Sequence, residues 1–303
     1  MDCRICFLAF LLFTTTAAAQ LPARHAVVIN EILFNPKPSA YDYIELYNRS
    51  DSTVDLRTLH LTNRSASGQY GVLKKLTDTA RYLLPHAYVV FTENAANLAL
   101  HYFVKAPAAV VEMASLPSYP NAAGTVVLLD TLKNGVDEVP YAETWQFGLL
   151  ADAEGVALER IDPDGASNEK TNWHSAASDA GYGTPGYQNS QYKLFQNPIA
   201  SIGITPKLFS PDGDGTDDVL TIAYAVPENG TVANVFIYDA SGRQRNHLVK
   251  GAVLGTTGSF TWNGLDARGQ RLPVGQYIIY TELFTLQGKK HRFKNVVVLA
   301  RWN

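Results

Sequence analysis

Cysteine is almost missing from this chain: Cys3 and Cys6 are the only two in 303 residues, and both stand near the N-terminus. A chain trimmed of that opening segment has no thiol, which excludes disulfide staples, cysteine nucleophiles and thiolate metal centres. Charge of one sign is lacking too. The 25 Lys and Arg against 28 Asp and Glu give a formal charge of -3. Interspersed as they are, they form no basic stripe able to neutralise several phosphates, so nucleic acid is not an expected partner. His60, His86, His101, His174 and His247 are scattered, with no HExxH spacing and no nucleophile elbow. Methionine is scarce, with 2 residues, whereas 16 Tyr, 13 Phe, 22 Gly and 15 Pro supply strand formers and frequent punctuation.

The first nineteen residues have Arg4, an apolar run over residues 5–13 and the small-residue exit Ala17-Ala18-Ala19 before Gln20. That run is about half the roughly twenty residues of a spanning helix, and the pattern predicts a cleaved secretory signal over residues 1–19. Neither cysteine follows a complete hydrophobic region with a lipobox, so no N-terminal lipid anchor is expected. The mature chain is thus read as exported, secreted or at a bacterial cell surface, with no transmembrane segment.

Downstream, apolar alternation cut by Asn, Pro, Gly and Asp predicts strands over residues 27–34, 43–47, 54–61, 88–92, 125–129 and 156–161. In residues 43–47 the two-residue period puts Ile44 and Leu46 on the core face and Glu45 with both tyrosines on a solvent face. Residues 93–103 alone have helical spacing. The pattern lapses between Tyr187 and Ile202, then strands recur over 219–224, 233–238, 259–262, 277–283 and 295–301. The fold class is all-β: two immunoglobulin-like sandwiches in tandem after the signal, over residues 24–190 and 203–303, joined by a linker at 191–202.

Ile29-Asn30-Glu31-Ile32, Asn35-Pro36, residues 43–48 and Val54-Asp55-Leu56, followed by Leu84-Pro85, residues 124–130, Leu158-Glu159-Arg160 and Gly183-Thr184-Pro185-Gly186, resemble a lamin-tail domain of the bacterial type. The resemblance implies an immunoglobulin-like sandwich without catalytic machinery, an accessory module on exported or surface proteins. Residues 65–81 are longer than in a compact version, either an inert insertion or a loop carrying specificity. In the second module, residues 209–215, 235–239, Gly242-Arg243, Phe260-Thr261-Trp262-Asn263-Gly264, Asp266, Gly269 and residues 272–277 resemble the immunoglobulin-like module of flagellar hook-capping proteins and the gliding-motility C-terminal domains. The latter resemblance implies type IX secretion and surface attachment.

Asp212, Asp214, Thr216, Asp217 and Asp218 place oxygens at close intervals around Gly213 and Gly215, as a calcium loop does. An EF-hand is excluded, because its sixth position here is Asp217 and its twelfth Ala223. A structural calcium completed by a neighbouring loop, with Asp266 the nearest candidate, and a set of Asx-turns are both open readings. Glu31 and Glu45 on adjacent strands are a possible acid and base for a glycosidase, although alternation reads both as solvent-face residues. Trp145, Trp173, Trp262 and Trp302 either build a sugar-stacking platform or pack the cores. The expected function is therefore non-enzymatic. The first sandwich binds or spaces, the second exports or anchors, and the partner is a cell-surface or extracellular protein or glycan. A carbohydrate- or matrix-binding adhesin is the alternative, and an uncharacterised hydrolase a more distant one.

Overall fold

A computed structural model of the chain describes residues 21–193 and 199–300. The expected signal segment, the middle of the expected linker, Arg301 and Trp302 lie outside the described residues. No helix among the described residues is long and apolar enough to cross a membrane.

The first module is built on a six-stranded sheet in the order Trp173–Ser175, Leu158–Arg160, Val27–Leu33, Tyr43–Asn48, Tyr88–Thr92, Val110–Glu112. A four-stranded sheet, Gly135–Ala142, Ala123–Asp130, Leu59–Asn63, Lys74–Lys75, shares its core. Ile29, Ile32, Ile44, Leu46, Phe91 and Leu158 of the first sheet meet Leu59, Leu61, Val126, Leu128 and Val139 of the second. Ile44 with Leu46, Leu59 with Leu61 and Val126 with Leu128 follow the two-residue repeat that the sequence shows, which is why these strands settle with this face inward, and a register shift brings Ile29 and Ile32 to the same face.

The second module pairs Ser201–Thr205, Leu220–Ala225 and Thr257–Trp262 against a five-stranded sheet, Leu208–Phe209, Lys290–Leu299, Gly275–Thr285, Thr231–Asp239, Gln244–Val253. Trp262 is the centre of its core, with Phe209 at 5.2 Å and Tyr277 at 5.4 Å between ring centroids. All-β architecture and two immunoglobulin-like sandwiches agree with the sequence pattern.

Local departures have local causes. Residues 54–61 do not run as one strand: Asp55 accepts the N–H of Arg57 and opens the 3-10 turn Leu56–Thr58. The strand Gly135–Ala142 contains Pro140, and it is tolerated because this strand is an edge that needs no second ladder. Residues 65–81 are tied to the sandwich: Lys74–Lys75 pairs with Leu61 and His60, and Leu76 is buried in the core. The helix Ala95–His101 forms inside the predicted window, capped by Asn94, whose side chain accepts the N–H of Asn97.

The two modules are docked. Gln191 is fully buried, its Nε2 donating to the Leu254 carbonyl at 3.0 Å and its own carbonyl and side-chain oxygens accepting from Asn229 at 2.8 Å each. Ser178 donates twice to the Val253 carbonyl, and Phe147 of the first module packs with Val232 and Val253 of the second. A β-carbon on Gly255 would lie 2.6 Å from the Ser190 carbonyl oxygen, so this close approach requires glycine.

Candidate functional site

Two groups of polar side chains stand out, one buried in the first module and one exposed in the second. Glu31, Glu45 and Glu159 are each 0% exposed. Register places Glu31 directly opposite both Glu45 and Glu159, so three carboxyl groups form a row across neighbouring strands. This corrects the expected solvent face. A β-bulge between Ile29 and Glu31 breaks the alternation. The segment after Ser175 returns across the sheet and covers that face.

The cover is held by the acids themselves. Glu31 accepts the Thr184 N–H at 2.8 Å and the Tyr43 hydroxyl at 2.8 Å, and Glu45 accepts the Gly186 N–H at 2.6 Å. Glu159 accepts the Gln191 N–H and the Ser190 hydroxyl, both at 2.8 Å, and the Thr184 hydroxyl at 2.9 Å. Asn30 bridges Glu45 and Asn189, while Asn189 donates to the carbonyls of Asn30 and Arg160. Residues 184–191 are thus a strap whose backbone donors are met by carboxylates rather than by a strand ladder.

Burial, and then the neighbouring Glu159 charge, pushes Glu31 up to about 8. Glu45 is raised well above the usual carboxylate range by burial and by Glu31, and Glu159 is raised by burial against the pull of its donors. A glycosidase pair needs room for a sugar between its carboxyl groups. These acids face each other on paired strands with their oxygens engaged by the strap, and neither Glu31 nor Glu45 reaches solvent.

Beside the row lies a buried ion pair. Arg160 donates to Asp137 at 3.0 Å, to Ser167 at 2.9 Å and to the Ile29 carbonyl at 2.7 Å, and its guanidinium stacks 4.9 Å from the Trp173 ring. Asp137 also accepts the Ile29 N–H at 2.8 Å. Sequence reasoning passed over Asp137, because nothing in a strand with Pro140 marks one acid as internal. Trp173 and Trp262 are buried core residues, Trp145 is partly buried against the first core, and Trp302 lies outside the described residues.

In the second module the structure brings together Asp212, Asp214 and Asp218, with one carboxylate oxygen of each lying within 4.8 Å of the others. Asp218 accepts the N–H groups of Gly213 at 2.6 Å and Gly215 at 2.8 Å. Positive φ angles of 87° at both glycines make that fold of the backbone possible. Asp217 is not among these three acids. Thr216 donates its N–H to Asp214, and the Asp217 carbonyl accepts the Ser210 N–H. Asp266 also stands apart, closing its own turn by accepting the N–H groups of Arg268 and Gln270 at 2.8 Å each.

The row of acids, Asn30 and the bulge occupy the residues by which the first module resembles a known family. Residues 20–143 match the model of the Lamin Tail Domain. The lamin-tail match takes in Asn30, Glu31, Glu45 and Asp137 and stops before Glu159, Arg160 and the strap. Comparison with curated proteins finds no match.

Among solved structures, FlgD from P. aeruginosa is similar at 23% identity over 27% of this chain and 62% of that one, with a TM-score of 0.23. FlgD from Xanthomonas campestris, whose structure gives insights into the hook capping essential for flagellar assembly, is 28% identical over 27% of this chain and 58% of that one, with a TM-score of 0.23. Latent PorU from Porphyromonas gingivalis is 12% identical over 86% of this chain and 18% of that one, TM-score 0.28. Each likeness is slight, and the chain spans less than two thirds of each of these proteins.

Proposed function

We propose that this chain is a non-enzymatic exported or cell-surface protein. The lamin-tail sandwich acts as a binding or spacer module, and the second sandwich serves export or surface attachment. The observation that carries the reading is the strap. The polar side chains that a catalytic site would need in the first module are engaged in holding residues 184–191, and Gln191 of the same segment fixes the second sandwich. Such an arrangement sets a distance and an orientation, which is what a spacer requires. The export route by type IX secretion rests on the resemblance of residues 203–303 to sorting domains.

Epitope-tagged full-length protein in a bacterial host with that route is expected to be released by protease treatment of intact cells. Retention inside the cell would end this reading.

Calcium is proposed as a structural ion of the Asp212, Asp214 and Asp218 loop, where three carboxylates converge on one point. At a tenfold excess over its dissociation constant, an ion bound only by the folded state adds about 1.4 kcal/mol. Full-length protein is therefore expected to melt higher in calcium than in chelator, and an Asp214→Asn, Asp218→Asn variant to lose the difference. Identical melting of the native protein in both buffers would dispose of the ion.

A further inference from the structure

The sequence holds one basic run that its average composition conceals: Lys289, Lys290, His291, Arg292 and Lys294 fall within six residues. All of the run but Lys289, which pairs with Glu228, lies on the strand Lys290–Leu299, which pairs over ten residues with Gly275–Thr285 without a register shift. Its other edge is met only at the far end, where Leu208–Phe209 pairs with Val298 and Leu299 in parallel. There the N–H groups of Val298 and Ala300 donate across that edge to the carbonyls of Lys207 and Phe209, both at 2.8 Å. By the two-residue repeat of a strand, the backbone groups of Lys290, Arg292, Lys294 and Val296 point out of the same edge. Among the described residues, no strand pairs with them there.

The chain leaves this edge open because the preceding strand, Ser201–Thr205, belongs to the opposite sheet and crosses over only at Leu208. Lys290, Arg292, Lys294 and Val296 are all exposed beside it, and Arg292 alone has a counter-charge, Glu282 at 3.2 Å. Near the start of the strand a depression of about 190 Å³ is lined by Leu283, Phe284 and His291, with Lys290 on one side and Arg292 and its partner Glu282 on the other. Edges in soluble proteins are blunted by bulges, proline or charge, and this one carries charge alone. Like charges repel a second copy of the same strand, whereas they attract an acidic one.

We propose that the edge of Lys290–Leu299 is a docking site for an extended acidic peptide that adds a strand to the five-stranded sheet. Its acidic side chains, at alternate positions, lie along Lys290, Arg292 and Lys294, and apolar ones between them face the depression beside His291. Backbone pairing gives the docking its direction, and the cations select the sequence. This goes beyond the surface-module reading and stands without it, since it concerns what the purified chain binds and not where the chain resides.

The test is fluorescence anisotropy with the full-length protein and a labelled, capped octapeptide of alternating Glu and Val. Three comparison ligands are a Gln and Val peptide, two Glu and Val peptides N-methylated at alternate residues in either register, and polygalacturonate. The acidic peptide is expected to bind, and loss of its charge, or N-methylation in one register, to weaken binding by about tenfold or more. In the protein, Lys290→Glu with Lys294→Glu reverses exposed charges without touching the core and is expected to weaken binding as much. Absence of binding overturns the proposal. So does equal binding of both methylated peptides or of polygalacturonate, which reduces the edge to a polyanion surface, and so does dimerisation of the chain through this strand.

Discussion

Replacing Arg160 with Leu is expected to lower the free energy of unfolding by about 3–5 kcal/mol, the range found when one partner of a buried ion pair is removed. The side chains of Arg160 and Asp137 are both 0% exposed. Loss of the guanidinium strands the Asp137 carboxylate with the Ile29 N–H and the Ser167 hydroxyl as its remaining close donors, apart from His25 at 3.3 Å. It also takes a donor from the Ile29 carbonyl at the bulge that turns Asn30 and Glu31 toward the strap. Arg160→Lys retains charge but not the planar fork that reaches Asp137, Ser167 and Ile29 together, so it is expected to recover little. Urea unfolding followed by the fluorescence of Trp173, which stacks on Arg160, reads the effect where it occurs. Combining Arg160→Leu with Asp137→Leu should cost less than the sum of the two single changes, because the second removes the charge that the first left unpaired. A loss below about 1 kcal/mol in Arg160→Leu would mean that water reaches the pair.

The contrast between Ile44 and Glu45 shows how much of this was legible. Alternation identified the strand and the face that Ile44 and Leu46 bury, because apolar burial against a facing sheet leaves a two-residue trace in the chain. It misread Glu45. A face covered by a strap rather than by a sheet is lined with groups that satisfy backbone N–H donors, and those groups read as solvent-facing in any polarity pattern. The family resemblance held the missing information, since Asn30, Glu31, Glu45, Glu159, Arg160 and Thr184 are among the residues that carry it and all are buried, with Asn30 bonded to Glu45, Thr184 to Glu31 and Glu159, and Asn189 to the Arg160 carbonyl. The acidic loop was the reverse case. Spacing proposed five residues, and among the acidic ones folding brings Asp212, Asp214 and Asp218 together, while Asp217 stands in the loop with a φ of 51°. The basic edge strand escaped because net charge averages over the whole chain, while recognition depends on which residues share one strand.

Alkaline conditions are expected to weaken this protein, and Glu31 is the residue through which the weakening is most directly tested. Its pKa rises from an ordinary 4.5 to about 8 in the folded state, so between these values the folded chain holds a proton that the unfolded chain has released. Stability therefore falls as pH rises through the window and is greatest toward its acidic end. From pH 6.5 to 8.5, Glu31 alone accounts for about 2 kcal/mol of that loss by linkage. Glu45 and Glu159, also raised, act in the same sense. His60 and His174, lowered by burial, act in the opposite sense by favouring the folded state as the unfolded imidazoles lose their protons. They are common to the native protein and to Glu31→Gln, so the difference between the two isolates the acid. A glutamine keeps one oxygen for the Thr184 N–H and the Tyr43 hydroxyl, which meet the same carboxylate oxygen, and offers its amide to the Thr184 hydroxyl. Glu31→Gln is expected to flatten the slope of unfolding free energy against pH and to be the more stable protein at pH 8.5. Parallel slopes in the two proteins would show that Glu31 ionises in the strap without penalty, and that the row of carboxylates is better solvated than its burial implies.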